Sequence, residues 1–120
     1  MDTSAISSIM QDRKLASLGD AYVNLVYSLA LTQVSGEPRG VKVSDRILSA
    51  AFKVAGLRSY LGGRQSRENF ANASEALLIE AFRKELLTID ESVKIITQKE
   101  DLTEGMGELL RIAVERLISS

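Results

Sequence analysis

Two carboxylates stand where solvated charges do not belong. Asp20 is the only charged residue between Leu15 and Val34. Glu75 is in helical register with Ala71, Leu78, Ile79, Phe82 and Leu86, so it falls on the apolar face of a helix, while Glu80 and Lys84 fall on the other side. Burying an ionised carboxylate without a partner costs several kcal/mol. Each acid therefore calls for a cation, hydrogen bonds, a proton or a metal. Asn24 lies one turn after Asp20, and Asn72 one turn before Glu75. Either amide suits an oxygen ligand or a hydrogen bond to metal-bound water. Taken singly, each acid is more often a structural residue, paired with an Arg or accepting backbone N–H groups at a helix end, and each Asn is as readily an ordinary polar contact.

The remaining composition narrows the chemistry. The sequence has no Cys and no His. That excludes disulfides, thiolate and imidazole metal sites, Cys nucleophiles and His general bases. Catalysis would run on carboxylates, Lys, Tyr, hydroxyls or a carboxylate-held metal, a hard ion such as Mg²⁺ or Mn²⁺. No motif calls for a small-molecule organic cofactor. With 15 basic and 16 acidic residues, the net charge of −1 exerts no global pull on an anionic partner. Such a partner needs a local basic patch.

These residues must be positioned by helices. No alternating run bounded by turns calls for a strand, and 3.6-residue spacing recurs throughout. The reading is all-α, with six or seven helices in a single domain over residues 1–120. A short helix is predicted from about Thr3 to Met10 and a second from about Arg13 to Val34. The second carries Leu15, Leu18, Tyr22, Leu25 and Leu29 on one side and Ala16, Val23, Tyr27 and Leu31 on the other. That pattern predicts a helix buried all round. It ends near Ser35-Gly36, ahead of Pro38 and Gly40. A third helix follows the N-cap Ser44, turns its Ile47, Leu48, Ala51 and Phe52 inward, and closes at Gly56. The connection Leu57–Arg64 leads to a fourth, from about Ser66 to Leu87. A fifth follows Asp90. A sixth starts near Thr103 and buries Met106, Leu109, Leu110, Ala113, Val114 and Leu117.

Residues Met1 to Met10 lack the basic start and apolar run of a secretory signal. Leu15–Val34 contains Asp20, Asn24, Ser28, Thr32 and Gln33, too polar a set for a spanning helix. The expected location is cytoplasmic, with no membrane partner.

Leu15-Ala16-Ser17-Leu18-Gly19-Asp20-Ala21-Tyr22 resembles the signature of the ribonuclease III catalytic domain, Leu-Glu-Phe-Leu-Gly-Asp-Ala-Val. Asn72-Ala73-Ser74-Glu75-Ala76-Leu77-Leu78 resembles that family's second motif, Asp-x-x-Glu-Ala-Leu-Ile. The resemblance implies an all-helical, homodimeric endonuclease domain. Its carboxylates bind Mg²⁺, which activates water to attack a phosphodiester of double-stranded RNA. Carried over by position, Asp20 and Glu75 are the catalytic, metal-binding pair; the helical spacing adds Asn72 as a further ligand and Asn24 behind them. Ala16 stands where the larger enzymes have Glu, Asn72 where they have Asp, and no separate double-stranded RNA-binding domain is expected. In these respects the chain is most similar to the compact Mini-ribonuclease III type.

An RNA partner would be held through phosphates and 2′-hydroxyls. Arg58, Arg64 and Arg67 around Gly62-Gly63 form one candidate patch, and Lys42 and Arg46, with Arg39, a second. The leading expectation is a metal-dependent endoribonuclease. One alternative is a catalytically inactive relative that binds RNA or protein as a homodimer. Another is a helical interaction module in which cations pair with Asp20 and Glu75.

Overall fold

Six segments of the chain begin with the same local device. An Asp, Ser or Thr side chain accepts a hydrogen bond from a backbone N–H two or three residues on, satisfying a donor that the helix itself leaves free. Asp2, Asp12, Ser44, Ser66, Thr88 and Asp101 play this part. They open α1 (Thr3–Met10), α2 (Arg13–Ser35), α3 (Asp45–Val54), α4 (Arg67–Arg83), α5 (Ile89–Thr97) and α6 (Leu102–Ser119). A single 3₁₀ turn, Arg58–Tyr60, lies between α3 and α4. The computed structural model describes residues 1–120, and the fold is all-α, as the sequence predicts.

The core is one cluster, centred on α4 and α6. Phe52, Leu77, Leu78, Ile96, Met106, Leu109, Leu110 and Leu117 are fully enclosed in it. The most extensive helix contact is between α2 and α4, followed by α3 on α4 and α3 on α6. No helix is long and apolar enough to cross a membrane.

Three expectations need correction. The second helix is not buried all round. Its core face is Ala16, Gly19, Val23, Val26 and Ala30, whereas Leu18, Leu25 and Leu29 are 51%, 44% and 39% exposed. Both faces are apolar, so pattern alone does not choose between them. The small side chains decide, because they let α2 approach α4 closely.

The fourth helix ends at Arg83 rather than Leu87. Glu85 adopts a left-handed conformation, φ 61°. Its N–H bonds the Phe82 carbonyl, and the Leu86 N–H bonds that of Ala81. This is the double hydrogen bond of a Schellman C-cap. Without Gly at that position, the sequence gives no stop signal. The third correction is small: the cap of α5 is Thr88, which places Asp90 inside the first turn.

Candidate active site

The site is built where α2 crosses α4. A Cβ placed on Gly19 would lie 2.6 Å from the Glu75 carbonyl carbon. Only glycine allows the two backbones this close. The neighbouring side chain on α2, Asp20, is thereby brought within hydrogen-bonding reach of the Glu75 carboxyl. Glu75 is 7% exposed, and the Asp20 side chain 40%.

Two acids so placed cannot share the same protonation state easily. Burial, then the adjacent Asp20 carboxylate, push the Glu75 carboxyl up to about 8. The hydrogen bond from Glu75, then that from Lys42, hold Asp20 below its ordinary value. At neutral pH the pair keeps one proton, carried mainly by Glu75.

A strap of extended chain runs beside α2 and supplies the cation. Asp20, Asn24, Ser28 and Thr32 form a single polar row along the helix, each four residues from the last. Thr32 Oγ1 accepts from the Arg39 N–H at 3.0 Å, Ser28 Oγ from the Val41 N–H at 2.9 Å, and Asn24 Oδ1 from the Val43 N–H at 2.8 Å. The spacing explains the match. Four helical residues rise about 6 Å, and two extended residues about 6.6 Å. The row ends at Asp20, where Lys42 Nζ donates to both carboxylate oxygens at 3.1 and 3.3 Å.

The structure gives partners to two residues named from the sequence. Lys42, a candidate RNA contact, is bound to Asp20. Asn24 gives its oxygen to the Val43 N–H and turns its amide toward Asp20, so it stands behind the acid and anchors the strap.

A cavity of about 410 Å³ opens over the pair. Asp20 and Glu75 line it with Asn72, Ala16, Ser17 and Arg13. Two more acids reach it, Asp45 and Glu68. Sequence reasoning missed Asp45, Glu68 and Arg13. All three sit in the first turn of a helix, where acids are ordinary complements to the helix dipole and nothing marks an Arg. No three carboxylates are gathered closely enough to hold a metal by themselves.

The donor set nevertheless suits one kind of ion. Mg²⁺ keeps most of its water and is held by one or two carboxylates together with substrate phosphates. Asp20 and Glu75 supply that number, and the proton retained between them marks the charge a cation would replace.

The other candidate RNA contacts are spread wider. Arg46, Arg58, Arg64 and Arg67 are all exposed, and none lines the acidic cavity. Arg58 lies over the Phe70 ring, 5.9 Å from its centre.

The sequence model of the ribonuclease III family matches residues 13–115, from the first residue of α2 into the last turns of α6. No curated protein matches the chain. The matched span contains Asp20, Glu75, Asn72 and every residue lining the acidic cavity. On an all-helical fold, with that match covering most of its length, the chain belongs to the ribonuclease III family.

Proposed function

We propose that the protein is a divalent-metal-dependent endoribonuclease. It hydrolyses phosphodiesters in structured or double-stranded RNA, as a cytoplasmic homodimer of the compact Mini-ribonuclease III type. The observation that carries the reading is the Asp20–Glu75 pair, two carboxylates lining one open polar cavity and close enough that each shifts the other's titration.

Bound there, Mg²⁺ or Mn²⁺ supplies Lewis-acid polarisation of a phosphate oxygen and lowers the pKa of a water. The chain's own residues prepare the site. Asp20 holds a permanent negative charge. Glu75, protonated in the free site, would have to lose that proton for a cation to be held there. Asn24 orients Asp20 through its amide and fixes the strap through its oxygen. Asn72, on the cavity wall, offers a neutral oxygen or a hydrogen bond to a held water. Lys42, exposed and anchored by the strap, can exchange Asp20 for a phosphate oxygen. Arg58, Arg64, Arg67 and Arg46 extend the phosphate contacts beyond the cavity.

The exposed ridge Leu18, Leu25 and Leu29 supports the homodimer. These residues recur on one face of α2, and an apolar ridge of this kind is best covered by a partner. A second copy presents the same ridge about a two-fold axis.

The test is cleavage of a duplex RNA in Mn²⁺ by the wild type beside Glu75→Gln. The wild type cuts and the variant does not. Equal cutting by both would remove the mechanism. A second reading, an inactive relative that binds RNA or protein, draws support from Lys42 on Asp20 and from the missing third acid. Calorimetry separates the two: uptake of Mn²⁺ that Glu75→Gln loses favours the nuclease, and no uptake with or without RNA favours the binding protein.

A further inference from the structure

A second cavity adjoins the acidic one. It has a volume of about 220 Å³, and it shares Arg13 and Asn72 with its neighbour. Its polar lining is otherwise Gln11, Asp12, Gln65 and Asn69. Four neutral amides, one acid and one Arg are an unusual wall to find beside four carboxylates.

The amides are oriented. The Gln65 amide donates to the Gly62 carbonyl at 2.6 Å, and its oxygen accepts from the Asn69 amide at 2.9 Å. Asn69 is therefore held with its NH₂ toward Gln65 and its oxygen turned the other way. Gln11 donates one amide hydrogen to the Ser7 carbonyl at 3.2 Å, which fixes the group and leaves its oxygen and second hydrogen available. The Asp12 carboxylate is committed to the Lys14 and Leu15 N–H groups at the start of α2. The wall thus presents amide oxygens and spare amide N–H groups together, with the Asp12 carboxylate and the Arg13 guanidinium beside them.

Size and charge select the ligand. The cavity is smaller than the roughly 300–1,000 Å³ of typical small-molecule sites, so it suits one piece of a larger ligand. The Asp12 carboxylate and the Arg13 guanidinium offset each other, so the lining has no net positive charge to select a phosphate. A hydroxyl that both donates and accepts satisfies amide oxygens and an amide NH₂ together.

We propose that this cavity takes the ribose of a nucleotide next to the one being cut, and reads its 2′-hydroxyl. The inference rests on the endoribonuclease reading of the neighbouring site. It makes the Gln11–Asn69 wall the part of the protein that distinguishes RNA from DNA, since the 2′-hydroxyl is the group that differs.

The test uses a short RNA duplex with single 2′-deoxyribose substitutions walked along one strand. Binding is measured in Ca²⁺, and cleavage in Mn²⁺. At one position the wild type loses about 3- to 10-fold in affinity, the weight of a neutral hydrogen bond or two. Asn69→Ala, and separately Gln11→Ala, lose a similar factor on the all-RNA duplex. Each is then indifferent to the deoxyribose at that position. Both substitutions suit a helix or its edge, and circular dichroism verifies the fold. A full deoxyribose penalty retained by both variants overturns the proposal. If the duplex is bound with this pattern but never cut, the nuclease reading falls and the ribose site stands. If no duplex binds at all, both fall.

Discussion

Gly19 has no room for a side chain because the backbone of Glu75 fills the space a Cβ would need. The contact does more than pack two helices. Asp20 is the next residue, so the same closeness sets the distance between the two carboxylates. The Leu-Gly-Asp motif is in this sense a spacing device: glycine brings α2 onto α4, and Asp20 projects beside Glu75.

Gly19→Ala should therefore cost more than a methyl group in a loose core. The obstructing atoms are backbone, which cannot rotate away. Overpacking of this kind costs about 1–3 kcal/mol, visible as a lower melting temperature. The helices must also part. The Glu75 carboxyl should then titrate closer to an ordinary Glu, and calorimetric Mn²⁺ affinity should fall. A variant with wild-type stability and wild-type Mn²⁺ affinity would show that the contact does not set the site.

The proton held by Glu75 makes both stability and metal binding depend on pH. Its carboxyl titrates at about 8 in the fold, against 4.5 for the ordinary group. Between those values the folded state binds more protons than the unfolded state, so unfolding free energy falls as pH rises and levels off above about 8. Denaturant unfolding in EDTA checks this, with Glu75→Gln lacking this part of the slope and gaining on the wild type as pH rises. Metal binding runs the other way. A cation must displace the proton, so Mn²⁺ affinity should rise with pH up to about 8, by close to tenfold per unit for one proton. Calorimetry at pH 7 in buffers of different ionisation enthalpy should report the released proton.

The sequence showed the acids better than their surroundings. Asp20 and Glu75 were conspicuous because a charge on an apolar face violates the pattern around it. Asp45 and Glu68 were invisible because an acid in the first turn of a helix violates nothing. Helix starts were legible for a similar reason, since each carries a side-chain cap of the expected type. The end of α4 was not, because Glu85 does the work usually given to Gly. Periodicity predicts burial for the Leu18–Leu25–Leu29 face, but it reports only that a face is apolar and not what covers it. The polar row Asn24, Ser28 and Thr32 takes its meaning from the strap beside it.

The open leucine face gives a direct test of assembly. Leu25 is 44% exposed near the middle of the ridge. Leu25→Glu leaves the monomer core intact, but it would set two carboxylates against each other across a two-fold contact. Sedimentation should show a dimer for the wild type and a monomer for the variant. The variant's melting temperature at low protein concentration should match the wild type's. An unchanged dimer would place the interface elsewhere.

Glu85 offers a stabilising change. A non-glycine residue in the left-handed region costs about 1–2 kcal/mol. The acid also sits at a helix C-terminus, where negative charge is unfavourable. Glycine removes both effects and gives back part of the gain as chain entropy. Glu85→Gly should raise stability by about 0.5–1 kcal/mol in denaturant unfolding and leave RNA cleavage unchanged. A loss of stability would mean that the Glu85 side chain makes a compensating contact.

Lys42 is the residue whose removal should separate two functions. Its ammonium competes with any cation for Asp20, and it is also a positive charge beside the cavity for an incoming phosphate. The pair is exposed, so its own strength is modest. Lys42→Ala should tighten Mn²⁺ by about 2- to 5-fold in calorimetry without RNA. It should also weaken duplex RNA binding and lower the salt dependence by about one phosphate contact. Ser28→Ala keeps the lysine but cuts the middle hydrogen bond of the strap. It should move both measurements in the same directions by less, because the ammonium is then free to wander from Asp20. If Lys42→Ala weakens Mn²⁺ binding instead, the lysine supports the metal site and does not compete with it.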